Sequence, residues 1–162
     1  MMSPIPDWDE YYLQICQAVA ARSKDPHTQV GCIIAGPAHE IRSTGYNSFP
    51  RGIRDNIPER LERPVKYLWM EHAERNAILN AARVGTPLEG CTLYVELMPC
   101  MDCGRAIVQA GIREVVISRK RMAEYSGEFY QQHFRIVEEL FAEAGVAVRW
   151  VPEEPESLPV TP

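Results

Sequence analysis

The chain has no apolar run approaching the ~18–20 residues that a membrane-spanning helix needs. It also has no basic excess: 17 Lys and Arg stand against 22 Asp and Glu, for a formal net charge of −5. Proteins that grip nucleic-acid polymers draw most of their affinity from cations on phosphates, so an extended polynucleotide surface is not expected. Met1 to Glu10 carries acids and prolines where a secretory leader has a basic start and an apolar stretch, and no leader is expected. Cysteines number only five, an odd count. Cys16, Cys32 and Cys91 sit among apolar neighbours and read as buried thiols, not as a disulfide framework. A reducing cytoplasm is the expected compartment. No internal repeat and no linker divides the sequence.

What remains is a chain of 162 residues, 46% hydrophobic and 24% charged, enough for one domain with a sizeable core. Helical spacing of Leu13, Ile15, Cys16, Val19 and Ala20 predicts a helix from Asp7 or Trp8 to about Arg22, broken by Lys24-Asp25-Pro26. Strands are expected over 29–35 and 41–46 around a turn at 36–40. A long Pro-, Gly- and Arg-bearing loop follows, from Asn47 to about Val65, and loops of that length in compact domains tend to be functional. Beyond it are a helix over 71–83, a strand over 92–96, a helix over 100–110 closed by Gly111, and a strand over 115–117. An amphipathic helix over 129–144 is closed by Gly145, and a last strand covers 146–151. Strands alternating with helices after one hairpin predict a three-layer α/β/α sandwich with a mixed five-stranded sheet. The domain is expected over residues 1–151, followed by a loose Pro-rich acidic tail over 152–162.

Two short motifs carry chemistry. His72-Ala73-Glu74 opens one predicted helix, and Pro99-Cys100-Met101-Asp102-Cys103 opens the next. One imidazole and two thiolates make a three-ligand set for Zn²⁺, whose charge the two thiolates balance. A structural zinc site is closed by four protein ligands, whereas a catalytic site leaves a position for water. Glu74 is not needed as a fourth ligand and is placed for proton transfer. Cys100 and Cys103, three apart, share a helix face, and the positive helix end favours thiolate. In open α/β sheets such sites form near strand ends where helix N-termini converge. His-x-Glu followed by Pro-Cys-x-x-Cys is a general signature of zinc nucleobase deaminases. The basic clusters, Arg51 with Arg54 and Arg119-Lys120-Arg121, suffice for one mononucleotide phosphate. His39, in a turn, and His133, on the amphipathic helix, read as surface or interface residues; His27 lies in the loop beside the expected pocket.

From about Tyr11 to Ser118 the chain resembles the cytidine and deoxycytidylate deaminase superfamily, in particular its deoxycytidylate (dCMP) branch. The resemblance rests on Ser23-Lys24-Asp25-Pro26-His27-Thr28-Gln29-Val30-Gly31, Gly45-Tyr46-Asn47, Phe49-Pro50-Arg51-Gly52, His72-Ala73-Glu74-Arg75-Asn76-Ala77-Ile78 and Ile107-Val108-Gln109-Ala110-Gly111-Ile112. It implies the cytidine deaminase-like fold and hydrolytic deamination of dCMP to dUMP and ammonia, which feeds thymidylate synthesis. Zinc would be held by His72, Cys100 and Cys103. Glu74 would protonate N3 of the ring and then the departing ammonia, and Asn47 would bond the deoxyribose hydroxyl. Lys24, Thr28 and Arg51 would serve the phosphate or fix the pocket loop, and Tyr125 would pack near the nucleotide. The resemblance also implies a homo-oligomer, often a hexamer. Ser48 stands where regulated relatives often carry glycine. Ile53, the charged stretch Pro58 to Arg63, and His27 in place of a frequent asparagine depart as well, so weak control by dCTP and dTTP is expected. The alternatives are a deaminase of another cytosine nucleoside or nucleotide, of a 5-modified dCMP or of an RNA base, and a non-catalytic zinc module used for assembly.

Overall fold

The computed structural model describes residues 5–125 and 131–152. The start of the helix expected from Phe129 and the tail expected beyond Pro152 lie outside the described residues. The elements are α1 (Trp8–Ala20), β1 (Gly31–Ala35), β2 (Ile41–Tyr46), a 3-10 turn (Pro58–Arg60), α2 (Lys66–Trp69), α3 (Ala73–Val84), β3 (Thr92–Val95), α4 (Met101–Gln109), β4 (Glu114–Ser118), α5 (Arg119–Glu124), α6 (Gln131–Ala144) and β5 (Ala147–Val151). The five strands form one sheet in the order β2-β1-β3-β4-β5. β1 is antiparallel to β2 and to β3, while β3, β4 and β5 run parallel. This is the mixed five-stranded sheet expected.

Side chains alternate between the sheet faces with period two, and that alternation makes the layers. Ile33, Ala35, Tyr94 and Val116 pack against Tyr12, Leu13 and Cys16 of α1. Cys32, Ile34, Leu93, Val95, Val115 and Ile117 pack against α3, α4 and α6 through Ala77, Ile107, Val137 and Phe141. Strands covered on both faces have no polar side to show, so β1 and β3 are buried along their whole length. Asp7 caps α1, its carboxylate accepting from the Glu10 amide at 2.8 Å. All five cysteines are free and buried. No helix among the described residues is long and apolar enough to cross a membrane.

Two glycines set how closely helices approach the sheet. A Cβ on Gly31 would lie 1.9 Å from the Cys16 carbonyl oxygen of α1, and one on Gly45 would lie 2.3 Å from Ala73 O and Ala77 N of α3. Gly45 therefore brings the first turn of α3, with His72 just before it, down onto β2. Within the expected loop the chain makes the 3-10 turn, α2 follows the loop, and α5 follows β4 directly. None of these three elements is longer than six residues, too short to show a helical period.

Candidate metal centre and pocket

Both metal motifs sit at helix starts. His72 and Cys100 are the N-cap residues of α3 and α4, with extended backbones and no side-chain capping bond. Their side chains face the metal position instead. Cys103 follows in the first turn of α4, so Cys100 lies one position outside the helix and not in its first turn. His72 Nδ1 lies 3.4 Å from Cys100 Sγ and 3.5 Å from Cys103 Sγ, and the three ligand atoms all lie within 4.8 Å of one another. Tetrahedral bonds of ~2.3 Å to sulfur and ~2.0 Å to nitrogen place S and N about 3.5 Å apart. The donor set therefore fits a zinc ion in both chemistry and spacing. A hydrogen bond from the Cys103 thiol lets Cys100 ionise at about 4, while the same shared proton holds Cys103 well above the usual thiol range. Binding a cation would displace that proton.

The two helices are pinned around this centre. Arg75 of α3 reaches Asp102 of α4 at 3.4 Å and also pairs with Glu71. His133 of α6 is not a plain surface histidine: its Nδ1 accepts from the Met101 amide at 3.4 Å, meeting the first open donor of α4. Glu74 is 5% exposed, and its carboxylate is not among the converging ligand atoms. Burial raises its pKa, opposed chiefly by the charge of His72.

A cavity of about 100 Å³ opens on the ligands, lined by His72, Glu74, Cys100, Asn47, Thr28 and Tyr125 together with Asp25, Arg63 and Lys66. A wider recess of about 1030 Å³ shares Asp25, Thr28, Arg63, Leu97 and Tyr125 with it and adds His27, Lys120 and Arg121. Arg121 is oriented there by Glu96 Oε1 at 3.3 Å and Glu124 Oε2 at 3.1 Å. Of the residues expected at the site, His72, Glu74, Cys100, Asn47, Thr28 and Tyr125 line the inner cavity, with Cys103 buried behind it. Lys24 and Arg51 do not. They line a separate cavity of about 320 Å³, where Lys24 pairs with Asp55 at 2.8 Å and Arg51 donates to Asn80 Oδ1 at 2.6 Å. The loop that carries Arg51 is close to the metal helix in sequence but leaves on its outer side. Ser48 forms a two-way backbone bridge with Glu71 and does not take a positive φ, which among the described non-glycine residues falls only to His39.

Sequence reading passed over Asp25, Arg63 and Lys66. Asp25 appeared there as a helix breaker and within the Ser23 to Gly31 segment, without a role at the site, and Lys66 stood unmarked after the loop. The available signal was a lysine in an otherwise apolar stretch, Val65 to Met70, of which the fold buries Lys66 and Met70.

The cytidine and deoxycytidylate deaminase zinc-binding region matches residues 6–119. The chain belongs to this family. It is 37% identical over 148 residues to an uncharacterized deaminase encoded in the luxG 3′ region of Aliivibrio fischeri, covering 91% of this chain and 96% of that protein. It is 41% identical over 115 residues to the human deoxycytidylate deaminase, covering 68% of this chain and 64% of the human one. The dCMP deaminase of the cyanophage S-TIM5, crystallised with dCMP and dUMP, superimposes with a TM-score of 0.71 at 22% identity over 91% of this chain and 99% of that one. That likeness places the fold among deaminases. The family is a zinc-binding one, and His72, Cys100 and Cys103 are the residues here positioned to hold the ion.

Proposed function

We propose that the protein is a hydrolase that converts dCMP and water to dUMP and ammonia. The observation that carries this reading is an open three-donor metal set beside a buried, non-ligating Glu74, in a cavity that shares Asp25, Thr28, Arg63 and Tyr125 with a cation-bearing recess. When bound, zinc supplies Lewis acidity that makes water available as a nucleophile near neutral pH. Glu74 takes one proton of the attacking water and passes it to N3 of the cytosine; it then takes the second from the hydroxyl formed at C4 and delivers it to the amine as the C4–N bond breaks and ammonia leaves. Its raised pKa suits both acceptance and release. Asn47, Thr28 and Tyr125 flank the sugar, and Tyr125 lines both cavities. The phosphate is assigned to Arg63, Lys120 and Arg121 in the outer recess, not to Lys24 and Arg51, which line a separate cavity.

A monophosphate fits a few cations on a chain of net charge −5; a polynucleotide backbone asks for more. Relatives named as deoxycytidylate deaminases at about 40% identity support the same substrate. The free, buried cysteines and thiolate ligands suit a reducing cytoplasm. Exposed Leu68, Leu79 and Val84 are apolar area that a homo-oligomer would cover, and sedimentation velocity measures it. The deciding experiment is ammonia release from dCMP, deoxycytidine, 5-methyl-dCMP and a cytosine-containing RNA by zinc-loaded protein. Preference for dCMP is expected; equal turnover of deoxycytidine would refute the nucleotide assignment.

A further inference from the structure

Lys66 is a buried charge for which the reaction above has no use. It is 5% exposed, lines the inner cavity, and donates to Asp25 Oδ2 at 2.6 Å. An ammonium has three N–H donors, and the described residues offer it no second acceptor. Asp25 is saturated. Its Oδ1 accepts from the His27 and Thr28 amides, and its Oδ2 accepts from Lys66 and from Asn47 Nδ2 at 3.3 Å. Asn47 has no donor left either, because its second amide hydrogen goes to Thr28 O at 2.8 Å. Its Oδ1 takes one bond, from the Val30 amide at 2.9 Å, and keeps a second lone pair. Two groups sharing one carboxylate oxygen thus present unspent donors and an unspent acceptor at the same wall of the cavity.

We propose that Lys66 is a specificity-determining residue that reads the 3′-hydroxyl of the nucleotide, donating to its oxygen while that hydroxyl donates to Asn47 Oδ1. The proposal rests on the nucleotide reading above. A hydroxyl is the one group of dCMP that accepts and donates through a single atom. A phosphate would offer only acceptors, to Asn47 Oδ1 and beside the Asp25 carboxylate, both of which repel it. Asp25 acts here as the positioning residue: it fixes the amide orientation of Asn47 and the place of the ammonium together. The same census gives the direction of the Asn47 contact, with the sugar as donor.

The test is a cycle between protein and ligand in zinc-loaded Glu74→Gln protein, where turnover is stopped and calorimetry reads binding. With Lys66 present, dCMP should bind about 10- to 100-fold tighter than 2′,3′-dideoxycytidine monophosphate, the range of a charge-assisted hydrogen bond. In Lys66→Met the ratio should collapse to about threefold or less. Leaving Asp25 unpaired can unfold that variant, so Asp25→Asn/Lys66→Met, which removes both charges together, is measured beside it. An unchanged ratio in either folded variant overturns the proposal, as does absence of hydroxyl discrimination in the Lys66 protein. Hydroxyl-dependent binding together with no ammonia release by the unsubstituted enzyme would sink the reaction and leave the role of Lys66 standing.

Discussion

Glu74 and the ligand atoms can be separated by substitution, because the proposed reaction gives them different work. The ligand set is complete without Glu74, so Glu74→Gln should retain one zinc per chain by elemental analysis while losing about 10²–10⁴ in turnover. Metal loss in that variant would reassign Glu74 as a ligand. The phosphate assignment is tested by contrast. Arg121→Ala should lower kcat/KM for dCMP about 10- to 100-fold and leave deoxycytidine nearly unaffected, whereas Arg51→Ala should change neither. The reverse result would move the phosphate to the separate cavity lined by Arg51. These residues differ in how legible they were from sequence. His72, Glu74, Cys100 and Cys103 lie within a few positions of each other on two helix starts, where spacing converts directly to geometry. Lys66 meets Asp25 across 41 positions and Arg121 meets Glu96 across 25, and no local pattern reports such a meeting.

Elements carry the site only because their packing distances are fixed. α3 lies so close to β2 that Gly45 has no room for a methyl group: the obstructing atoms are backbone at 2.3 Å, and backbone cannot rotate away. Gly45→Ala should therefore cost about 3 kcal/mol or more in urea unfolding, the upper range of overpacking. It should also weaken zinc retention, since His72 rides on α3. A loss below about 0.5 kcal/mol would mean that α3 is free to shift. Helical spacing and turn signals placed α1, α3, α4 and β3 to within a few residues, because turns and glycines bound them and α1 buries a regular stripe. They missed α2 and α5, which are four and six residues long and so complete too few turns for a stripe. They also drew β1 two residues too long: Gln29 and Val30 lie before the ladder, with Val30 N held by the Asn47 side chain.

At the scale of the molecule, the two ends of the described chain are latched across the sheet. Arg149 of β5, an edge strand, forks onto Asp9 of α1, with Nη2 3.0 Å from Asp9 Oδ1, and its Nε reaches Glu114 of β4 at 3.0 Å. Tyr94 of β3 adds a hydroxyl donor to Asp9 at 3.0 Å. One carboxylate thus joins α1, β3 and β5, which share no turn or loop. The Arg149 hydrogen bond, outweighing the burial that opposes it, holds Asp9 below the usual carboxylate range. The sign of the pH dependence follows. A group whose folded pKa is depressed binds protons more readily when unfolded, so its stabilisation is present above the unfolded pKa of about 3.9 and fades as pH falls through the lower folded value. Asp9→Asn keeps the size of the side chain and removes the titration. The difference in unfolding free energy between the two proteins should be about 1–3 kcal/mol on a plateau above about pH 5, shrinking steadily toward about pH 2. Denaturant melts at a series of pH values measure it. A difference that stays constant across that window would show that Asp9 contributes shape and not charge, and that β5 is held to the sheet by its ladder with β4 alone.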